Sequence, residues 1–163
     1  CQWYDIEGYA LDKYVAEQGE FLRKKLQSMI MKNPNIVNKQ SDNIVYVISP
    51  FKNVAYQLSQ ELKKIGFTRY DKNGKPTNVG TVHTFQGKEA PIVFFVLGAD
   101  KKCIGAANWA VGTDNPNIMN VAVTRAKEEF YIIGDKEMYL SLNSDVINDT
   151  CKIIEKHNMN TSL

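Results

Sequence analysis

The sequence predicts an α/β fold, a parallel sheet with helices on both faces, from three observations. The run Asn43-Ile-Val-Tyr-Val-Ile-Ser49 is apolar without interruption, which marks a strand buried on both faces rather than one that alternates between core and solvent. Further apolar runs alternate with amphipathic stretches of helical period, and such βαβ units return right-handed to give parallel strands. Turn-forming residues punctuate the joins. There is no internal repeat and no low-complexity tract.

In chain order, Trp3 to Ile6 reads as a short strand. From Lys13 to Met31 the residues Tyr14, Phe21, Leu22, Leu26, Met29 and Ile30 recur near helical spacing, with Arg23, Lys24 and Lys25 elsewhere on the surface, and Asn33-Pro34-Asn35 ends that helix. The strand Asn43 to Ser49 closes at Ser49-Pro50, which opens a helix with Ser49 as N-cap and Pro50 at the first helical position. Val54, Leu58, Leu62 and Ile65 make its inner stripe, and Gly66 stops it. After the polar turn cluster Asp71 to Pro76 come a strand from Val79 to His83, a second from Ile92 to Leu97, and a loop from Gly98 to Asn115 that holds Trp109. Asp114-Asn-Pro116 begins a helix facing inward through Ile118, Met119, Ala122 and Val123. The strand Phe130 to Ile133 follows, ended by Gly134-Asp135 ahead of helices that run to about His157.

Composition narrows the function classes. The 163 residues, 44% hydrophobic and 23% charged, suffice for one core and one domain, residues 1–163. Twenty basic residues against 18 acidic leave a formal charge of +2, too little to recruit nucleic acid or a membrane by bulk electrostatics, so any polyanion site must be local. Cys1, Cys103 and Cys151 are scattered, with no Cys-x-x-Cys pair, as in a reduced, cytoplasmic protein. His83 and His157 lie far apart, and no metal site is legible. The longest apolar run, Pro91 to Gly98, is far shorter than the roughly 20 residues of a membrane helix, and no leader pattern opens the chain, so no membrane partner is expected. A first residue of Cys rather than Met leads to the expectation of a fragment of a larger chain.

Parallel sheets bind ligands at the carboxyl ends of their strands, and those ends carry Ser49, the Thr84 to Glu89 turn and Gly134-Asp135. In that turn Gly87 lets backbone approach a ligand, Gln86 offers a donor and acceptors, and Glu89 can accept from ribose hydroxyls or hold a cation. Taken alone, the segment would equally be a polar loop with a glycine turn. Arg125 sits late in a helix whose neighbours Val121, Ala122, Val123 and Ala126 are small and apolar; its planar fork suits phosphate oxygens, although a surface arginine at a helix end would also be favoured by the dipole. Ser49 could offer its hydroxyl to a phosphate or serve only as a cap. Phe51 suits a stacked base or the core. Lys101, Lys102 and Trp109 could touch nucleic acid or belong to a solvated excursion.

Taken together and in order, Ser49-Pro-Phe51, Gly80-Thr-Val-His-Thr-Phe-Gln-Gly-Lys-Glu89 and Asn120-Val-Ala-Val-Thr-Arg-Ala-Lys127 resemble motifs IV, V and VI of the superfamily 1 helicases, over about Trp3 to Leu140. The likeness is nearest to the branch containing the nonsense-mediated-decay helicases. It implies the second, UvrD-like RecA-like domain of an ATP-driven helicase or translocase, a P-loop NTPase-type fold without a P-loop of its own. By the same resemblance Arg125 is the catalytic arginine that contacts the γ-phosphate across the domain interface. Glu89 is the acid near the nucleotide ribose, and Gln86 and Gly87 are the pair that couples nucleotide to strand. Thr81, His83 and Ser49 fall where motifs V and IV approach nucleic acid. The implied cofactor is ATP with magnesium, and the implied partners are an N-terminal RecA-like domain of the same protein and single-stranded DNA or RNA.

The chain departs from the family pattern in two places. Lys52-Asn-Val-Ala-Tyr-Gln57 stands where a glutamine and an arginine usually follow the motif IV aromatic, leaving Lys52 as candidate for the second cation. Asn117-Ile-Met119 replaces the arginines common before motif VI. The sequence holds neither a phosphate-cradling Gly-x-x-x-x-Gly-Lys-Ser/Thr loop nor an acidic pair after a strand for magnesium, so this chain alone is expected not to hydrolyse ATP. A noncatalytic RecA-like module that binds nucleic acid or protein is the alternative. A plain dinucleotide-binding domain ranks last, since no strand is followed by Gly-x-Gly-x-x-Gly.

Overall fold

The computed structural model describes residues 1–111 and 116–161. In chain order it contains β1 (Gln2–Asp5), β2 (Ala10–Leu11), β3 (Tyr14–Val15), α1 (Ala16–Lys32), β4 (Val45–Ile48), α2 (Lys52–Lys63), β5 (Val79–Gly80), β6 (Ala90–Val96), α3 (Ile104–Val111), α4 (Pro116–Thr124), β7 (Ala126–Gly134), α5 (Lys136–Leu140) and α6 (Asp145–Thr161). Five strands form one parallel sheet in the order β1-β7-β6-β4-β5, and β2 and β3 pair as a separate antiparallel hairpin. The α/β class is as the apolar runs predict. All four residues of β4 are buried, the condition that an unbroken Val-Tyr-Val-Ile run satisfies.

Aromatic side chains fill both faces. Phe94 of β6 stacks on Tyr131 of β7, and Tyr4 of β1 lies between Tyr131 and Phe21 of α1. The next residue along each strand points to the opposite face, where Phe95 stacks on Phe130. The chain moves outward from β4 to β5, then crosses back past β4 to β6 and on to β7. The direction in which strands are added to the sheet therefore reverses between β4 and β6, the strands themselves staying parallel. Loops leaving their carboxyl ends diverge there and open a crevice.

Several boundaries differ from the sequence reading, each for a physical reason. Asp12 and Lys13 take φ of +47° and +69°, the left-handed pair that closes a two-residue hairpin, so the helix expected from Lys13 starts at Ala16. The strand expected to reach His83 stops at Gly80. Its partner β4 ends at Ile48; the following Ser49 N–H still donates to the Gly80 carbonyl at 3.0 Å, and Pro50 has no N–H with which to extend the ladder. Ser49 is not the N-cap of α2 and Pro50 is not in it. The helix begins at Lys52, because Phe51 turns inward and its amide donates to the Ser49 hydroxyl at 3.3 Å.

The strand expected over Phe130 to Ile133 begins at Ala126, paired with Ala90, and Pro91 is accommodated at a register shift between Ala90 and Ile92. Within the expected loop from Gly98 to Asn115, Asp100 accepts from the Lys102 amide at 2.9 Å and caps a 3-10 turn, Lys101–Cys103, that leads into α3. Asp114 and Asn115, expected to open α4, lie outside the described residues. Gly66, at φ +73°, ends α2 as anticipated, with the Phe67 N–H returning to the Leu62 carbonyl at 3.1 Å.

Candidate functional site

The segment Thr81 to Glu89 links the two ends of the sheet. It leaves the carboxyl end of β5 and returns to the amino end of β6, where the Ala90 N–H donates to the Arg125 carbonyl at 2.9 Å. The Thr84 to Glu89 stretch was expected at the carboxyl ends of the strands; the return to β6 carries Glu89 to the opposite end. Val82–Phe85 form one turn of 3-10 helix. Because side chains three apart eclipse in such a turn, Val82 and Phe85 are both buried, while His83 and Gln86 both face outward. His83 and Gln86 line one small pocket of about 240 Å³ with Ile118 and Val121 of α4. Phe85 anchors the turn, its ring centroid 4.5 Å from that of Tyr46.

Phe85-Gln-Gly-Lys88 is a type II turn. Gln86 has φ −58° and ψ 121°, Gly87 has φ +75°, and the Lys88 N–H closes it on the Phe85 carbonyl at 2.9 Å. Position three of that turn requires a left-handed residue, which is why glycine follows glutamine here. A Cβ at Gly87 would meet nothing within 4 Å, so the backbone is open to approach.

Arg125 is half-buried and lies one residue beyond α4, between the helix and β7, rather than within the helix as the sequence reading had it. One guanidinium nitrogen, Nη1, donates to the carbonyls of Phe85 at 3.2 Å and Lys88 at 3.3 Å, the two ends of the turn, and Nη2 donates to the Thr124 hydroxyl at 3.3 Å. Its Nε is buried without a hydrogen-bond partner. Charge-assisted hydrogen bonds are usually about 2.7–2.9 Å, so these longer ones hold the fork loosely. Arg125 thus braces the turn that holds Gln86 and Gly87, with Glu89 next after it, and Gln86 and Glu89 are exposed.

At the carboxyl end, the crevice between β4 and β6 is an open groove of about 820 Å³. Phe51 forms its floor, with its ring centroid 6.1 Å from that of Trp109 and the Lys13 Nζ 5.6 Å above it. Trp109 is 52% exposed. Thr81 and His83 contribute to the wall, and Lys52 stands at the start of α2. The Phe51 side chain does not cap that helix, and its first turn contains no acid. Ser49 is fully buried beneath the groove rather than in its lining, bound to the amide of Phe51. Lys52 lines this groove, away from the Arg125 turn.

Lys13 was missed by sequence reasoning because it sat inside an apparent helical pattern. The hairpin brings it to the groove. Ala99 donates to the Lys13 carbonyl at 2.7 Å, Asn53 Nδ2 to the Asp12 carbonyl at 2.8 Å, and the Ala10 N–H to Asp100 Oδ2 at 2.7 Å. This last bond is the main cause holding the Asp100 carboxyl below its ordinary range. The local signal was Leu11-Asp-Lys-Tyr14, two polar residues between apolar ones. Among the described residues no group of three or more His, Cys, Asp or Glu is gathered for a metal.

Residues 11–137 match the family model described as an AAA domain, AAA_12. Over 142 residues, 82% of this chain, the sequence is 28% identical to Helicase sen1 of Schizosaccharomyces pombe, and it spans 8% of that protein's length. The matched span runs from the hairpin through the groove, the Gln86-Gly87 turn and Arg125 to the end of β7. The chain belongs to the AAA domain family, as a RecA-like C-terminal domain of the superfamily 1 helicase type.

Proposed function

We propose that this chain is the second motor domain of an ATP-dependent helicase or translocase acting on single-stranded DNA or RNA. It completes an ATP site whose phosphate loop and magnesium ligands lie in an N-terminal RecA-like domain of the same protein. The observation that carries the reading is Arg125 braced on the Phe85 to Lys88 turn, with Gln86 and Glu89 exposed on that turn and His83 reaching the groove from the same segment. The residues present fit half of a nucleotide site: a loosely held guanidinium with an unsatisfied Nε, an exposed carboxylate and carboxamide, and an open glycine turn. Among the described residues no cluster of three or more His, Cys, Asp or Glu is available for magnesium.

ATP, when bound, supplies the free energy of phosphoanhydride hydrolysis. Arg125, held by two long bonds to neutral carbonyls, would be the residue to turn toward a terminal phosphate, and its charge would be worth most where negative charge spreads. Glu89, exposed beside the turn, would accept from ribose hydroxyls. Gln86 and Gly87 sit at the joint, so a shift of Arg125 off the Phe85 and Lys88 carbonyls moves the turn that is continuous with His83. At the other end His83 and Thr81 hold the strand, with Ser49 fixing Phe51 below it. The three cysteines are free, and no described helix is long and apolar enough to cross a membrane.

Strand-stimulated ATPase assays on the full protein and on residues 1–163 alone test this. The full protein hydrolyses ATP faster with an oligonucleotide present, and the isolated chain shows no turnover. Ordinary helicase rates from the isolated chain would refute the shared site, and strand binding without turnover by the full protein would identify a noncatalytic module.

A further inference from the structure

A second groove adjoins the first. It holds about 270 Å³ and runs along the outer side of α2 and the edge strand β5, lined by Tyr56, Lys75 and Thr84. Lys52 and Thr81 line both grooves, so the two are continuous around the start of α2. We infer that a single strand does not end its contact at Thr81 but continues over β5 onto Tyr56 and Lys75, giving a track with an aromatic platform at each end. The inference rests on the reading of the first groove as the strand-binding face.

Charge and exposure argue for that occupant. Lys13, His83, Lys52 and Lys75 line the combined track, and no Asp or Glu does among the described residues. The whole chain is nearly balanced, 20 basic residues against 18 acidic, so a lining with four basic side chains and no acid is a local concentration and the kind of site a polyanion requires. Trp109 at one end is 52% exposed and Tyr56 at the other 59%. An exposed ring beside cations serves unpaired bases, since stacking needs a free base face and the cations take the phosphates between; Asp12 pairs with Lys13 at 3.7 Å but does not line the groove. Tyr56 lies on α2 opposite its buried stripe of Val54, Leu58 and Leu62, and the core does not account for it. Lys75 is carried to β5 by the turn that Asp71 organises, accepting from the amides of Asn73 at 2.8 Å and Lys75 at 3.0 Å.

The test uses the full protein, without nucleotide, and fluorescence anisotropy with oligo-dT and oligo-U of increasing length at two salt concentrations. For oligonucleotides long enough to cross both grooves, Tyr56→Ala weakens binding about tenfold, Tyr56→Phe retains it, and Lys75→Gln reduces the salt slope by roughly 0.7. For the shortest oligonucleotides these variants bind like the parent, whereas Trp109→Ala weakens binding at every length. If Trp109→Ala weakens binding while Tyr56→Ala and Lys75→Gln are silent at every length, the track ends at Thr81 and the extension is wrong, with the first groove intact. If no oligonucleotide binds the parent protein, the strand-binding face and its extension both fall. Unchanged thermal melting of Tyr56→Ala assigns its loss to the strand rather than to folding.

Discussion

The Arg125 guanidinium donates to the Phe85 carbonyl at 3.2 Å, joining the residue that precedes β7 to the turn that precedes β6. The partner is main chain, so no substitution at Phe85 removes the acceptor. What sets its direction is the turn, and the turn depends on Gly87.

Gly87→Ala separates conformation from packing. A Cβ there meets nothing within 4 Å, so the cost is that of a left-handed alanine, about 1 kcal/mol. Thermal unfolding of this domain should fall by only about 2–4 °C, while ATPase of the full protein falls more steeply as the carbonyls bracing Arg125 shift. An equal loss of ATPase in a variant of the same stability altered far from this turn would show that Gly87 acts through stability alone.

Gly98→Ala should be much worse for folding. Its φ is +61° and a Cβ would lie 2.5 Å from the Lys13 carbonyl, which the Ala99 N–H already holds. Strain and overpacking together cost roughly 3 kcal/mol. Denaturant unfolding of the two glycine variants side by side checks the contrast, and equal losses would count against it.

Tyr139 tests the same corner from below. Its fully buried hydroxyl donates to the carbonyls of Leu97 at 3.2 Å and Gly98 at 3.1 Å, and burial pushes the phenol pKa far up, so it stays protonated. Tyr139→Phe should destabilise by about 1–2 kcal/mol with no new pH dependence below pH 10. Chemical denaturation across that range measures both.

Acid should loosen the hairpin that carries Lys13. Asp100 titrates below the usual carboxylate range because the Ala10 N–H, foremost, donates to it. A carboxyl lowered on folding contributes stability that is full above its unfolded value, about 3.9, and is lost as pH falls through the folded one. The Ala10 amide resonance should therefore shift below about pH 4 and not above, and Asp100→Asn should abolish that step. A midpoint above pH 5 would contradict the assignment.

The parallel sheet was legible because burial on both faces forces continuous apolar runs, and Val45 to Ile48 shows this most plainly. Strand ends were less so. Where β5 stops depends on Pro50 just beyond the neighbouring strand β4, and where β7 starts depends on Ala90, neither of which is local to the element it limits. Gln86, Gly87 and Glu89 were legible as one motif and Arg125 as another; that the Arg125 guanidinium is bonded to the Phe85–Lys88 turn was not. In sequence Ser49 reads as a helix cap and as a residue near nucleic acid; that it is instead buried beneath the groove follows from Phe51 turning inward. Lys13 was not legible, since two left-handed residues in a row hide within an apparent helical pattern.

The most direct test of the shared nucleotide site is the strand-stimulated ATPase of the full protein carrying Arg125→Ala, with strand affinity measured in parallel. The expected result is a fall in kcat of about 10³-fold or more, with strand binding within about twofold of the parent and Arg125→Lys recovering only a small part, since a point charge does not replace the fork. Parental kcat in Arg125→Ala would contradict the assignment of Arg125 to the nucleotide.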